Sequence, residues 1–181
     1  MAKNILVLIH SEFEEIEAIT PIDLFRRAGY HVTTASTSNE IKICGKSSIL
    51  IKADCLLKDL IHDKYDAIVI PGGPGVFKIR NQKSIQELIK KFHNQKKLIG
   101  CICAAPLLLL DIGLNDKFSM TCHPSVSKEF KNLIPNKTVK NGHIITSKGA
   151  GTSIHFSLTI IKTLSGKMLA KRVAEAICFN F

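Results

Sequence analysis

The sequence predicts a single α/β domain, a three-layer α/β/α sandwich in which helices cover both faces of a mainly parallel sheet. Three observations lead there. Short, continuously apolar runs such as NILVLI (4–9), DAIVI (66–70) and KLIGCI (97–102) lack polar alternation, which suits strands covered on both sides. Helical patterns separate these runs, the arrangement that builds parallel sheets. No linker, repeat or low-complexity tract divides the 181 residues, and 45% of them are apolar, ample for one core.

Each element has a local reason. NILVLI is rich in branched residues and reads as the first strand. In TPIDLFRRAG, Thr20 can cap, Pro21 fits the first helical position, Asp23 completes a capping-box-like spacing and Gly29 can end the helix. HVTTAS (31–36) is the second strand, and IKIC with SSILI around Gly45 and Lys46 forms a short hairpin. SIQELIKKFHN places Ile85, Leu88, Ile89 and Phe92 at i, i+3, i+4 and i+7, one apolar helix face. AAPLLLLDIG is read as the next helix and FSMTCHP (118–124) as a strand ending in a loop. VKNGHIITSKG turns at Asn141-Gly142. Two helices, 153–165 and 167–178, close the chain with Gly166 between them.

Composition limits the function. No apolar run approaches the roughly 20 residues of a bilayer span, and SEFEEIE follows the first apolar stretch where a signal peptide would need a longer core. A cytoplasmic, non-membrane protein is expected. The six cysteines lack both a C-x-x-C pair and zinc-ligand spacing, so reduced thiols and no metal are expected. The net charge of +10 raises nucleic acid as a partner, but the lysines are dispersed. The densest cluster, KKFHNQKK (90–97), reads as a solvated helix face without aromatic interleaving, so no specific nucleic-acid partner is expected.

In a doubly covered parallel sheet, the working groups gather beyond the carboxyl ends of the strands. Three segments lie there. In GCICAAP, Cys103 sits where a strand turns into a helix, and Cys101, Ala104 and Ala105 are small enough for a sharp elbow that exposes a nucleophile. A helix start behind it would favour the thiolate. PGGPG (71–75) could present backbone N–H groups to a developing oxyanion, or could be an ordinary tight turn. SEFEEIE crowds Glu12, Glu14, Glu15 and Glu17 together. Most of these should be solvated, but one forced out of water beside Cys103 would have a raised pKa and could shuttle a proton.

Together with a late segment, ITSKGAGTS, these motifs resemble the ThiJ/PfpI superfamily, most closely its branch of YajL-like bacterial proteins and the human parkinsonism-associated protein deglycase. EEIEAITPIDLFRRAGY, YDAIVIPGGPG, CICAAPLLLL and ITSKGAGTS stand in the family's order, and the resemblance covers nearly the whole chain. It implies one flavodoxin-like, class I glutamine amidotransferase-like domain over 1–181. It places the nucleophile at Cys103, the buried glutamate at Glu17, and oxyanion or substrate-binding N–H groups at Gly72, Gly73 and Ala104. Cys101 becomes an elbow or core residue. His123 in TCHP matches a histidine that some members keep near the cysteine, which makes it an accessory group. Arg27 and Lys46 match basic positions near the pocket and dimer contact, and Ala150 stands where a proline is common.

A downstream His-x-Glu, needed by glutamine amidotransferases, is absent. Ala104 replaces the histidine that follows the nucleophile in PfpI-type peptidases, so peptidase activity is disfavoured. The resemblance implies a homodimer and a cofactor-free, glyoxalase III- or deglycase-type enzyme acting on methylglyoxal, glyoxal or their early adducts, in carbonyl and oxidative stress protection. Its alternative is a redox-sensing protective protein or chaperone whose Cys103 is oxidised to sulfinate.

Overall fold

A computed structural model describes residues 2–60, 64–114 and 117–181. Among these, β1 (Asn4–Ile9), β2 (His31–Ser36), β5 (Cys55–Leu56), β6 (Ala67–Ile70), β7 (Leu98–Ile102), β8 (Thr138–Asn141) and β9 (Ile144–Ser147) form one sheet in the order β5-β2-β1-β6-β7-β9-β8. Every pairing is parallel except β8 with β9, the hairpin turning at Asn141-Gly142, where Gly142 supplies φ of 59°. β3 (Lys42–Cys44) and β4 (Leu50–Lys52) make a separate antiparallel hairpin.

Strand alternation divides the core into two halves. Leu6 and Leu8 of β1, Ile68 and Ile70 of β6, and Ile99 and Cys101 of β7 face one side. There they meet α2 (Val76–Ile79), α3 (Lys83–Asn94) and α4 (Leu107–Asp111) through residues such as Ile79, Phe92 and Leu108. Ile5, Val7, Ala67, Val69 and Ile102 face the other side, against α1 (Glu15–Arg27), α5 (Ser153–Ser165) and α6 (Lys167–Ala176). This is the expected three-layer sandwich. The α3 stripe is buried at all four expected positions, Ile85, Leu88, Ile89 and Phe92.

Three expectations need correction. The first helix begins at Glu15, capped by Glu14, and runs straight through Pro21. Thr20 is therefore not its cap; tertiary contacts to the upstream glutamates extend the helix by more than a turn. The 118–124 segment forms only an isolated bridge between Met120 and Leu133 and takes no place in the sheet. The helix after the elbow is short and starts only at Leu107.

Candidate active site

The carboxyl ends of β1, β6, β7 and β9 converge on Cys103, the first residue after β7. Its φ of 64° lies in the left-handed region that non-glycine residues seldom adopt. Backbone hydrogen bonds hold it there: Cys103 N–H donates to the Ser147 carbonyl, and the Cys103 carbonyl accepts from His123 N–H, each at 2.9 Å. Two chain segments thus fix the elbow from both sides. The side chain is half-buried, whereas Cys101, within β7, is fully enclosed.

The glycine turn after β6 fits against this elbow. A Cβ on Gly72 would lie 2.6 Å from Cys103 Cβ and 2.7 Å from Glu17 Oε2, so the position excludes any side chain. Gly73 takes φ of 103° under the backbone of Glu12 and Glu14. Sequence reasoning assigned both N–H groups, with that of Ala104, to an oxyanion. The N–H groups of Gly73 and Ala104 favour the Cys103 anion against its burial. The Gly72 N–H is instead committed to Glu17 Oε2 at 2.9 Å.

The acidic segment is the larger surprise. Glu14, Glu15 and Glu17 are all buried, contrary to the expectation that most would be solvated, and each has its own partners. Glu14 Oε2 accepts from Glu17 N–H at 2.8 Å as the helix cap, and Glu14 Oε1 lies 3.8 Å from Lys46 Nζ. Glu15 Oε1 accepts from Ser47 N–H at 2.6 Å, tying α1 to the β3–β4 hairpin. Burial opposes the Glu15 charge, but these hydrogen bonds outweigh it and its pKa falls below the ordinary value. Glu12 is half-buried and pairs with Lys78 at 2.8 Å.

Glu17 is the carboxyl that faces the sulfur. Burial raises its pKa to about 7, the nearby charge of Glu14 adds to the effect, and hydrogen bonds from the Cys103 thiol and Gly72 N–H oppose it. In turn, burial, then the Glu17 charge and hydrogen bond, push the Cys103 thiol up to about 12. Burial and the Glu17 charge thus oppose the Cys103 thiolate for as long as Glu17 is ionised. Moving the thiol proton to Glu17 removes the repelling charge and creates a donor to the thiolate, so the two groups titrate as one unit.

His123 lies at the rim. Its side chain is exposed, and Nδ1 accepts from Ser125 N–H at 3.2 Å and meets Ser125 Oγ at 2.8 Å, which leaves the ring proton on Nε2. Gly149 separates it from the acid: a Cβ there would lie 3.4 Å from His123 Cδ2 and 3.7 Å from Glu17 Oε1. Arg27 is turned away into an exposed pair with Asp23 at 2.8 Å. Sequence reasoning missed His10. This fully buried ring places Nδ1 3.0 Å from the Ser11 carbonyl and Nε2 3.1 Å from the Pro71 carbonyl, joining the end of β1 to the glycine turn. Its position as the first polar residue after an apolar strand was the available signal.

Residues 3–163, which carry this half-buried cysteine, buried glutamate and glycine turn, match the sequence profile of the DJ-1/PfpI family. The chain belongs to that family. It is 34% identical to Protein dj-1beta of Drosophila melanogaster, covering 98% of this chain and 97% of that one. It is 36% identical to a Caenorhabditis elegans protein named glutathione-independent glyoxalase DJR-1.2, covering 97% and 96%. Among solved structures, Toxoplasma gondii DJ-1, oxidized, superposes with a TM-score of 0.95 at 32% identity, covering 99% of this chain and all of that one. Among the described residues, no helix is long and apolar enough to cross a membrane.

Proposed function

We propose that the protein converts small 2-oxoaldehydes such as methylglyoxal to hydroxy acids, with Cys103 as nucleophile and Glu17 as proton carrier. The observation that carries this reading is the buried Glu17 carboxyl, hydrogen-bonded to Gly72 N–H and to the Cys103 thiol, with a pKa raised to about 7. A base poised near neutrality is suited to moving protons at a carbon next to a carbonyl. The family's C. elegans member with a glyoxalase name supports it.

The thiol proton passes to Glu17 as sulfur attacks the aldehyde carbon. A C–S bond forms, and the carbonyl π electrons move to oxygen, which takes up that proton to give a hemithioacetal. Glu17, ionised again, removes the remaining hydrogen from the same carbon to give an enediol. Return of the proton to the adjacent carbon gives a thioester, and water releases the hydroxy acid and regenerates the thiol. Nothing is oxidised or reduced overall, and the balance requires only water. The Gly73 and Ala104 N–H groups stabilise the sulfur anion, and His123 lines the entrance, where it can orient a polar substrate. Early adducts of the same dicarbonyls present the same carbon to sulfur.

A homodimer belongs to this proposal. Ile16 and Ile19 of α1 are exposed, as are Ile49 and Leu50 at the tip of the hairpin that Glu15 ties to α1. A second copy would cover them, next to the site. The second reading, redox-responsive protection, uses the same sulfur. A protonated Glu17 can donate to an oxidised Cys103, and the T. gondii relative was solved in an oxidised form. Incubating reduced, metal-free protein with methylglyoxal separates the two. Hydroxy-acid production that disappears in Cys103→Ser supports the enzyme; no product from the wild type favours the redox reading.

A further inference from the structure

A second concave surface lies on the edge of the sheet. β8 is the edge strand; its Val139 points into the core, which leaves Thr138 and Lys140 on the outward face. On α5, His155, Thr159 and Lys162 recur at helical spacing along one face. Lys167 opens α6, and the final residues return so that the Phe181 ring meets His155 edge-on, 5.4 Å between centroids. These groups enclose an open cleft of about 800 Å³.

The side-chain charge in this cleft is one-sided. Three ammonium groups, from Lys140, Lys162 and Lys167, come together from separate chain segments, and no acidic side chain lines the walls. Only some of the 25 lysines and arginines, among them Lys3, Arg26, Arg27, Lys78, Arg80 and Lys171, have carboxylate partners. Among the described residues, none of the cleft lysines does. The His155 pKa is lowered by burial first and then by the charges of Lys137, outside the cleft, and of Lys162 within it. Gathering like charges weakens the fold unless a multiply charged anion offsets them.

We propose that this cleft binds a small oligophosphate. Its volume is that of a small-molecule site rather than of a strand-tracking groove. The absence of arginine from the walls disfavours planar carboxylates, which guanidinium groups hold in register, whereas lysine serves as a point charge for phosphoryl oxygens. The Asn180 side chain can add an amide donor, and the paired His155 and Phe181 rings form an apolar wall beside the cations. The phosphate chain can therefore belong to an inorganic oligophosphate or to a nucleotide.

The test is calorimetric titration of the full chain with tripolyphosphate and, separately, with ATP, while the His155 ring is followed by NMR. Saturable one-to-one binding is expected, weakened about tenfold, a loss of about 1.4 kcal/mol over two exposed pairings, in Lys140→Gln/Lys162→Gln. Saturation should move the His155 midpoint up as the anion offsets the Lys162 charge. Dicarbonyl turnover and melting temperature should be unchanged in this variant. Tighter binding of ATP assigns the ligand to nucleotides, and equal binding to inorganic oligophosphate. The proposal is overturned by absence of saturable binding, by undiminished affinity in the double variant, by a His155 midpoint that stays in place, or by stronger binding of a single-stranded oligonucleotide per phosphate.

Discussion

The interior of β7 and the elbow that follows it each carry a cysteine, two residues apart, and in both burial raises the thiol pKa. The causes differ. For Cys101 burial is the whole of it, so nothing short of opening the core would release the proton. For Cys103 a share comes from Glu17, a group that can itself take the proton. A raised pKa therefore marks an inert thiol in the strand and a conditional nucleophile at the elbow. The backbone makes the distinction: in the strand, Cys101 points into the α3 and α4 layer, while a left-handed residue one step past its end leaves the sheet and faces α1.

Substituting the two cysteines gives the largest contrast. Cys103→Ser should reduce dicarbonyl turnover by about 10³-fold or more, since the hydroxyl is a far weaker nucleophile without a dedicated base. Cys101→Ala should leave turnover within about twofold and cost roughly 1 kcal/mol of stability through the small cavity it opens. Steady-state rates and chemical denaturation of the two variants check both. Comparable losses of turnover would erase the distinction between strand and elbow.

Glu17 sharpens the contrast through stability. Its carboxyl ionises with a pKa of about 7 in the fold against an ordinary 4.5, so the unfolded chain loses this proton first as pH rises. Wild-type stability should fall between those two values by ~3 kcal/mol relative to a variant that cannot ionise there. Glu17→Gln keeps an acceptor for Gly72 N–H, so at pH 8 it should be the more stable protein, with the advantage gone near pH 4. Urea titrations at the two pH values read this directly. An advantage independent of pH would mean that Glu17 is not neutralised by its surroundings.

The smallest expected effect is at the rim. His123→Gln should change kcat less than tenfold, with most of any change in KM, because the ring is exposed and its Nδ1 is already occupied by Ser125. Kinetics for the smallest dicarbonyl and for a bulkier adduct would show whether the ring positions substrate.

The fold and the position of the elbow were legible because they rest on local signals, whereas Glu17 was singled out from its acidic neighbours only by the family resemblance. Continuous apolar runs located the strands, and a cysteine between small residues at a strand end located the elbow. What stayed hidden depends on contacts distant in sequence. Glu14 and Glu15 read as solvated because Lys46 and Ser47, on a hairpin about 30 residues later, are invisible from the acidic segment. The same contacts carry α1 past the start that Pro21 suggested. The Gly72 N–H could be counted as an oxyanion donor only until Glu17 was seen to occupy it. The lysines looked dispersed because β8, α5 and α6 bring separate positions to one cleft.

The most direct measurement of the central claim is to add ¹³C-labelled methylglyoxal to wild-type protein and to Glu17→Gln and follow the carbon resonances by NMR. The wild type should turn the label into lactate. Glu17→Gln, folded but without an acceptor for the thiol proton, should form the hemithioacetal at Cys103 more slowly, and lactate should appear about 10²- to 10⁴-fold more slowly. Equal rates of lactate formation in the two proteins would contradict the account and remove Glu17 from the chemistry.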